Sequence, residues 1–396
     1  MSEEQSRVRK AVERLLEEHP PASTDEQEFW GHQFDAGLAW VQFPEGHGGL
    51  GVNPGNQAIV NAAIVADGGS IRNRAHNVLG IGMGAPVLVQ HGTEEHLSRW
   101  LRPMFTMEEI WCQLFSEPGA GSDLAGLATT AVEEDGTWIV NGQKVWTTLA
   151  HLSRWGLLVT RTDPDVPKHA GMTYFVVDMH ADGVEVRPLY QITGEAEFNE
   201  VYFNDVHIPD ENRLAEVGEG WSVAMTTLMN ERVAIGSTIP LRGEGASISL
   251  AVDAWEEHGD GDGAARDELT KLWIEHEAMR LTAVRATENM KAGTPGPEGS
   301  TLKLHWADLN QRTTAFGMDV SGADGMLYPK GYEFSRPDSS SNSDSDLATL
   351  FLRSRANSIE GGTSDIMRNI VGERVLGLPG EPRVDKNIPW KDVPRG

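Results

Sequence analysis

Apolar positions recur at helical spacing as far as about residue 110, and the pattern then changes twice. In the first stretch Val8, Val12, Leu15 and Leu16 share one face of a segment over residues 7–18, which His19-Pro20-Pro21 stops. From about Trp111 to Arg213 short β-branched and aromatic runs alternate with turn residues. Residues 137–140 lead into Asn141-Gly142, a strong hairpin signal, and further strands are predicted over 156–160, 172–177, 184–188 and 200–203. No helices alternate with these strands, so the pattern predicts an antiparallel β domain rather than a doubly wound sheet. Helical periods return at 220–254, 264–291, 298–317 and 347–375, which together read as a bundle. The expectation is an α+β multidomain chain: a helical domain over 1–110, a β domain over 111–217 and a helical bundle over 218–396.

Composition narrows the function more than the fold. The chain has 396 residues and a formal charge of −26, which sets its surface against nucleic acid and anionic lipid. No run approaches the roughly 18 apolar residues that would span a bilayer, and the start, Met1-Ser2-Glu3-Glu4, is unlike a signal peptide. A soluble, cytoplasmic protein without membrane partners is expected. The single cysteine, Cys112, excludes an intrachain disulfide and reads as a buried strand residue. Tryptophan outnumbers tyrosine twelve to five, so aromatic packing should dominate the core, with Trp146 the exception discussed below. Gly80-Ile81-Gly82-Met83-Gly84 has no preceding strand and reads as close helix packing rather than a dinucleotide loop. Asp260-Gly261-Asp262-Gly263 is no calcium loop, because its twelfth position holds Lys271. Residues 256–263 and 338–346 are Gly-rich and Ser-rich interruptions. Metal and serine hydrolase signatures, His-Glu-x-x-His and Gly-x-Ser-x-Gly, are missing from the sequence.

The chemistry-bearing stretch is Gln113-Leu114-Phe115-Ser116-Glu117-Pro118-Gly119-Ala120-Gly121-Ser122-Asp123. Its glycines let backbone approach a ligand, and Ser116 and Ser122 can donate hydrogen bonds to ring or carbonyl atoms. Two further segments follow: Asn141-Gly142-Gln143-Lys144-Val145-Trp146-Thr147-Thr148 and Ile359-Glu360-Gly361-Gly362-Thr363-Ser364-Asp365-Ile366-Met367-Arg368. Together with Pro44-Glu45-Gly46-His47-Gly48-Gly49-Leu50-Gly51, these resemble, in order, the signatures of the acyl-CoA dehydrogenase family.

That resemblance implies a helical, β and helical-bundle order, bound FAD, an acyl-CoA substrate and an electron-transfer flavoprotein as electron acceptor. The reaction it implies takes a proton from the α carbon of the thioester and a hydride from the β carbon, giving the trans-2-enoyl-CoA. Carried over by position, Gln113, Ser116, Trp146 and Thr148 would meet the flavin, Thr363 the FAD diphosphate or ribose, and Ser122 the acyl-CoA. The glutamate that many members place before Gly-Thr is replaced here by Gly361. The family's other position, before an arginine on the first bundle helix, holds Glu231-Arg232. Glu231 is therefore expected as base, with Arg232 beside it and Glu360 as the alternative. The cross-subunit Arg-x-x-Phe-Gly and Gln-x-x-Gly-Gly-x-Gly stretches are altered, at 258–269 and 319–325. Here the chain resembles actinobacterial members, some of which pair unlike subunits on steroid-derived thioesters, so a heterotetramer stands beside a homotetramer. Two alternatives remain at this stage: a noncatalytic or FAD-sharing partner subunit, and a flavin oxidase or monooxygenase of the same fold.

Overall fold

The structure, a computed structural model, describes residues 2–238, 246–259, 261–291, 298–329, 331, 333–339, 346–383 and 385–394. Six helices come first: α1 (Glu3–Glu18), α2 (Glu26–Asp35), α3 (Gln57–Ala66), α4 (Asn73–His76), α5 (Ala85–His91) and α6 (Glu94–Phe105). α1 begins four residues before the predicted segment because Ser2 and Gln5 close a capping box at its start. The glycines at 80–84 form a π-helical turn, and a methyl group on Gly80 would lie 2.9 Å from Met104 Cγ. Close packing, not a phosphate loop, explains them.

Eight strands follow: β1 (Trp111–Leu114), β2 (Thr130–Glu134), β3 (Thr137–Thr148), β4 (Trp155–Arg161), β5 (Met172–Asp178), β6 (Val184–Pro188), β7 (Phe198–Pro209) and β8 (Arg213–Leu214). They run β6-β7-β3-β2-β4-β5-β8 in one sheet, with β1 alongside β4. Pairing is antiparallel except that β1 lies parallel to β4 and a single β2–β4 bridge is parallel. The two-residue period divides the side chains between two cores. Trp111, Leu157, Val159, Tyr174 and Val176 pack with the N-terminal helices, whereas Cys112, Leu114, Leu158, Phe175 and Val177 fill the other face.

The hairpin expected at Asn141-Gly142 is not formed. The turn falls at Asp135-Gly136, both at positive φ, and joins β2 to β3. Asn141-Gly142 instead marks an irregularity in the β3–β7 register, where a methyl group on Gly142 would lie 2.4 Å from Thr129 Oγ1. The glycine answers a close approach inside a long strand.

The C-terminal part holds α7 (Gly220–Thr238), α8 (Ser247–His258), α9 (Gly263–Lys291), α10 (Glu298–Val320), α11 (Leu347–Ser354) and α12 (Ser364–Ile370). Leu269, Leu272, Met279, Leu309 and Phe316 join α9 and α10 with α8 residues in a third core. Two predicted helices are divided. The span over 220–254 crosses residues 239–245, which lie outside the described residues, as do Asp260 of the rejected calcium loop and residues 340–345 of the serine-rich run. The span over 347–375 is broken by Gly361 and Gly362, at φ 60° and 92°, a conformation that no right-handed helix accommodates. Among the described residues no helix is long and apolar enough to cross a membrane.

Candidate active site

The loop after β1 is held from beneath by a buried ion pair. Glu117 accepts from the Ala128 amide (2.7 Å), the Thr129 amide (2.9 Å) and the fully buried Lys144 ammonium (2.8 Å). Lys144 also donates to Phe115 O at 3.0 Å. Burial pushes the Glu117 carboxyl upward, but Lys144 and the other donors outweigh it and leave the group below the ordinary carboxylate range. This anchor sets the loop against β3, where Val145 N donates to Ser116 O at 2.9 Å. Half-buried Ser116 is thereby set against Val145, the residue before exposed Trp146.

Trp146 is turned out of its strand. Its φ is 61°, its ring is 58% exposed, and the β3–β7 register shifts between Lys144 and Thr147. A bulky residue rarely takes such a φ, so the local structure is committed to presenting this ring. It meets Phe198 edge-on, with centroids 5.8 Å apart, and half-buried Thr148 pairs with Phe198 in the ladder.

Glu231 arrives from α7. Gln113 Nε2 donates to its Oε2 at a long 3.5 Å, linking helix and strand. A methyl group on Gly361 would lie 3.9 Å from Glu231 Oε1 and the same distance from Lys303 Cε. The α7 carboxylate therefore borders the space that a side chain at 361 would enter. Lys303, on α10, donates to Asn357 O at 2.9 Å and to Gly362 O, and Thr363 caps α12 by accepting from the Ile366 amide at 3.1 Å.

Glu360 is engaged elsewhere. Its two oxygens accept from Arg353 and from Asn357 Nδ2, each at 2.8 Å, and Arg353 stacks over Phe198 at 5.5 Å. Buried Glu197 lies in the same cluster. Burial pushes its carboxyl up to about 7, with Glu360 and Glu195 adding to the rise and Arg353 opposing it.

The structure thus brings Gln113 to Glu231, bonds the Ser116 carbonyl to Val145 next to Trp146, and puts Thr363 at the start of a helix. Ser122 is exposed on the loop rim, next to the Asp123 carboxylate that Lys168 binds at 2.8 Å. The Arg232 side chain lies outside the described residues. Sequence reasoning missed Lys303 and Arg353, which sit in helices without a motif. It also passed over Glu117 and Lys144, although both stand inside the family-like stretches, Glu117 in the Gly-rich loop and Lys144 as a charge within a strand.

Three family models match successive parts of the chain: the acyl-CoA dehydrogenase N-terminal domain over 2–108, the middle domain over 112–206 and the C-terminal domain over 218–376. The chain belongs to the acyl-CoA dehydrogenase family. It is 38% identical to acyl-CoA dehydrogenase IpdE1 of Mycobacterium tuberculosis, over 91% of this chain and 90% of that one. It is also 38% identical to acyl-CoA dehydrogenase FadE34 of the same organism over 87% of this chain, and there it spans only 45% of the relative's length. The ChsE4-ChsE5 complex from M. tuberculosis shares the fold, with a TM-score of 0.70 at 23% identity over 96% of this chain and 97% of that one.

Acyl-CoA dehydrogenases typically bind FAD, and the residues present suit it. An exposed indole, two half-buried hydroxyls and polar atoms without partners suit a flat polar ligand. Among the described residues, buried Thr147 Oγ1, Arg353 Nε and Arg353 Nη1 have no hydrogen-bond partner.

Proposed function

We propose that this protein catalyses FAD-dependent α,β-dehydrogenation of an acyl-CoA thioester to the trans-2-enoyl-CoA, with Glu231 as the base. One observation carries the assignment: the Glu231 carboxylate borders the gap at Gly361 while Glu360 is engaged by Arg353 and Asn357. A carboxylate whose two oxygens are held by Arg353 and Asn357 would have to give up those hydrogen bonds to reach a substrate carbon. Glu231 instead reaches the edge of that gap from α7, with Gln113 Nε2 3.5 Å from its Oε2.

Bound FAD would supply the hydride acceptor, and Gln113, Ser116, Trp146, Thr148 and Thr363 would hold it. Trp146 would cover the ring face, the Ser116 and Thr148 hydroxyls would reach its edge, and the Thr363 end of α12 would offer amides to phosphate. Ser122 would meet the acyl-CoA at the loop rim, with Arg232 beside the base. The resemblance points to a bulky, steroid-derived acyl group, a cytoplasmic location and an electron-transfer flavoprotein as acceptor. It also points to an unlike partner subunit, because the stretches that normally reach FAD across a homotetramer are altered.

Glu231→Gln keeps size and hydrogen bonding while removing the base. Flavin content should persist, and anaerobic flavin reduction by acyl-CoA should fall by roughly 10²-fold or more. Glu360→Gln should retain most of the rate. Normal turnover by the first variant together with a dead second one would move the base to the C-terminal loop.

A further inference from the structure

Lys303 stands on α10 opposite the loop that carries Gly361. Its half-buried side chain crosses to that loop and donates to two backbone carbonyls, Asn357 O at 2.9 Å and Gly362 O. Asn357 and Gly362 flank the segment in which Glu360 faces one way and Gly361 leaves a gap. Across that gap, Lys303 Cε and Glu231 Oε1 each lie 3.9 Å from the point a methyl on Gly361 would occupy. A cationic chain from α10 and a carboxylate from α7 therefore border one small space, and neither helix alone could build it.

We propose that Lys303 is a positioning residue of the proton-abstraction site, pinning the 357–362 loop clear of Glu231 and setting a fixed positive charge beside that carboxylate. The proposal rests on the reading of Glu231 as base. Two carbonyl acceptors hold the ammonium in one place, so its charge acts on Glu231 from a fixed direction instead of wandering as a surface lysine does. A cation held on the other side of the same gap favours the ionised carboxylate, which is the form that accepts the α proton. Interaction in the other direction is visible too: burial depresses the Lys303 ammonium, and Glu360 and Glu231 oppose that fall. The loop function is separable from the charge. Gly361 and Gly362 hold positive φ angles that favour glycine, and a bond to Gly362 O keeps that geometry against α10.

The test uses the FAD-loaded protein, with its partner subunit if one is required, in four forms: wild type, Lys303→Met, Lys303→Gln and Lys303→Arg. Flavin reduction by acyl-CoA is followed across pH, and amide hydrogen exchange is measured over residues 355–368. Lys303→Met should retain FAD, exchange faster in that segment, and show the acidic limb of its pH–rate profile moved upward by about one pH unit, a loss of roughly tenfold on that limb. Lys303→Gln, which keeps donors without charge, should show the same displaced limb with less change in exchange; it also serves if the Met variant does not fold. Lys303→Arg should return the limb toward wild type. Unmoved limbs in the neutral variants would overturn the proposal, even with lowered rates, because a merely structural residue would lower the rate at every pH alike. Glu231→Gln separates the two levels. If it reduces flavin at the wild-type rate, the base assignment falls; if it is inactive while Lys303→Gln is unchanged, only the role of Lys303 falls.

Discussion

Glu197 shows how one residue can hold a pH dependence of the whole fold. It is buried among Glu195, Glu360 and Arg353, and its carboxyl is pushed up to about 7 from an ordinary 4.5. An acid with a raised folded pKa binds its proton more tightly in the native state than in the unfolded chain. Its stabilising contribution is therefore complete below about 4.5 and is lost as pH rises through 7. Glu197→Gln fixes the neutral form and should leave stability at pH 4 little changed. At pH 8 it should raise stability by about 3 kcal/mol, since every tenfold difference in proton affinity between the folded and unfolded states is worth about 1.4 kcal/mol. Urea unfolding at the two pH values checks this, and equal effects at both would contradict it. Cys112 is shifted in the same direction: burial pushes its thiol up to about 12, so it should be inert to alkylation at neutral pH in the folded protein.

The loop from β1 to β2 depends on a residue pair rather than on its own turns. Glu117 satisfies two amides that the loop would otherwise bury, and Lys144 satisfies Glu117. Removing one partner leaves an uncompensated buried charge, so Lys144→Met should cost about 3–5 kcal/mol in chemical denaturation. The double variant Glu117→Gln with Lys144→Met should cost less than the sum of the two single changes. This dependence also explains what the sequence discloses. Continuous β-branched and aromatic runs bounded by turn residues made the strands at 156–160 and 172–177 legible nearly to their ends, because both faces of those strands are buried. Asn141-Gly142 misled because the same dipeptide serves a tight turn and a close approach, and only the position of Thr129 distinguishes them. The candidate site was legible where it lies in loops with unusual residues, as with Ser116, Trp146 and Gly361. It was hidden where it depends on Lys303, whose partners lie more than 50 residues away, and on the stacking of Arg353 over Phe198 of a distant strand. No local pattern encodes contacts of that range.

At the scale of the molecule, two surface properties bear on assembly. A charge of −26 makes like chains repel, so association needs apolar contact to overcome it. α9 offers such contact. Trp273, Ile274, Leu281 and Val284 are all exposed, and at about 100° per residue they fall within one arc of roughly 100° on the helix. The other side of the same helix buries Leu269, Leu272 and Met279 against the bundle core. The same arc also carries Arg266, Glu277 and Glu288, so the outer face is a patch of large apolar side chains among charges, a mixture suited to cover by a second chain. The expectation is that α9 lies in a subunit interface of the acyl-CoA dehydrogenase tetramer, whether the neighbour is a second copy or an unlike chain. Ile274→Glu combined with Leu281→Glu adds two charges to that face without touching the buried one. Mass measured in solution should drop toward the single subunit while far-ultraviolet circular dichroism stays as in wild type. Higher ionic strength should strengthen the wild-type assembly by screening repulsion between the acidic chains. An unchanged mass in the double variant would exclude α9 from the interface, and weakened assembly at high salt would show that ion pairs, not apolar contacts, hold the subunits together.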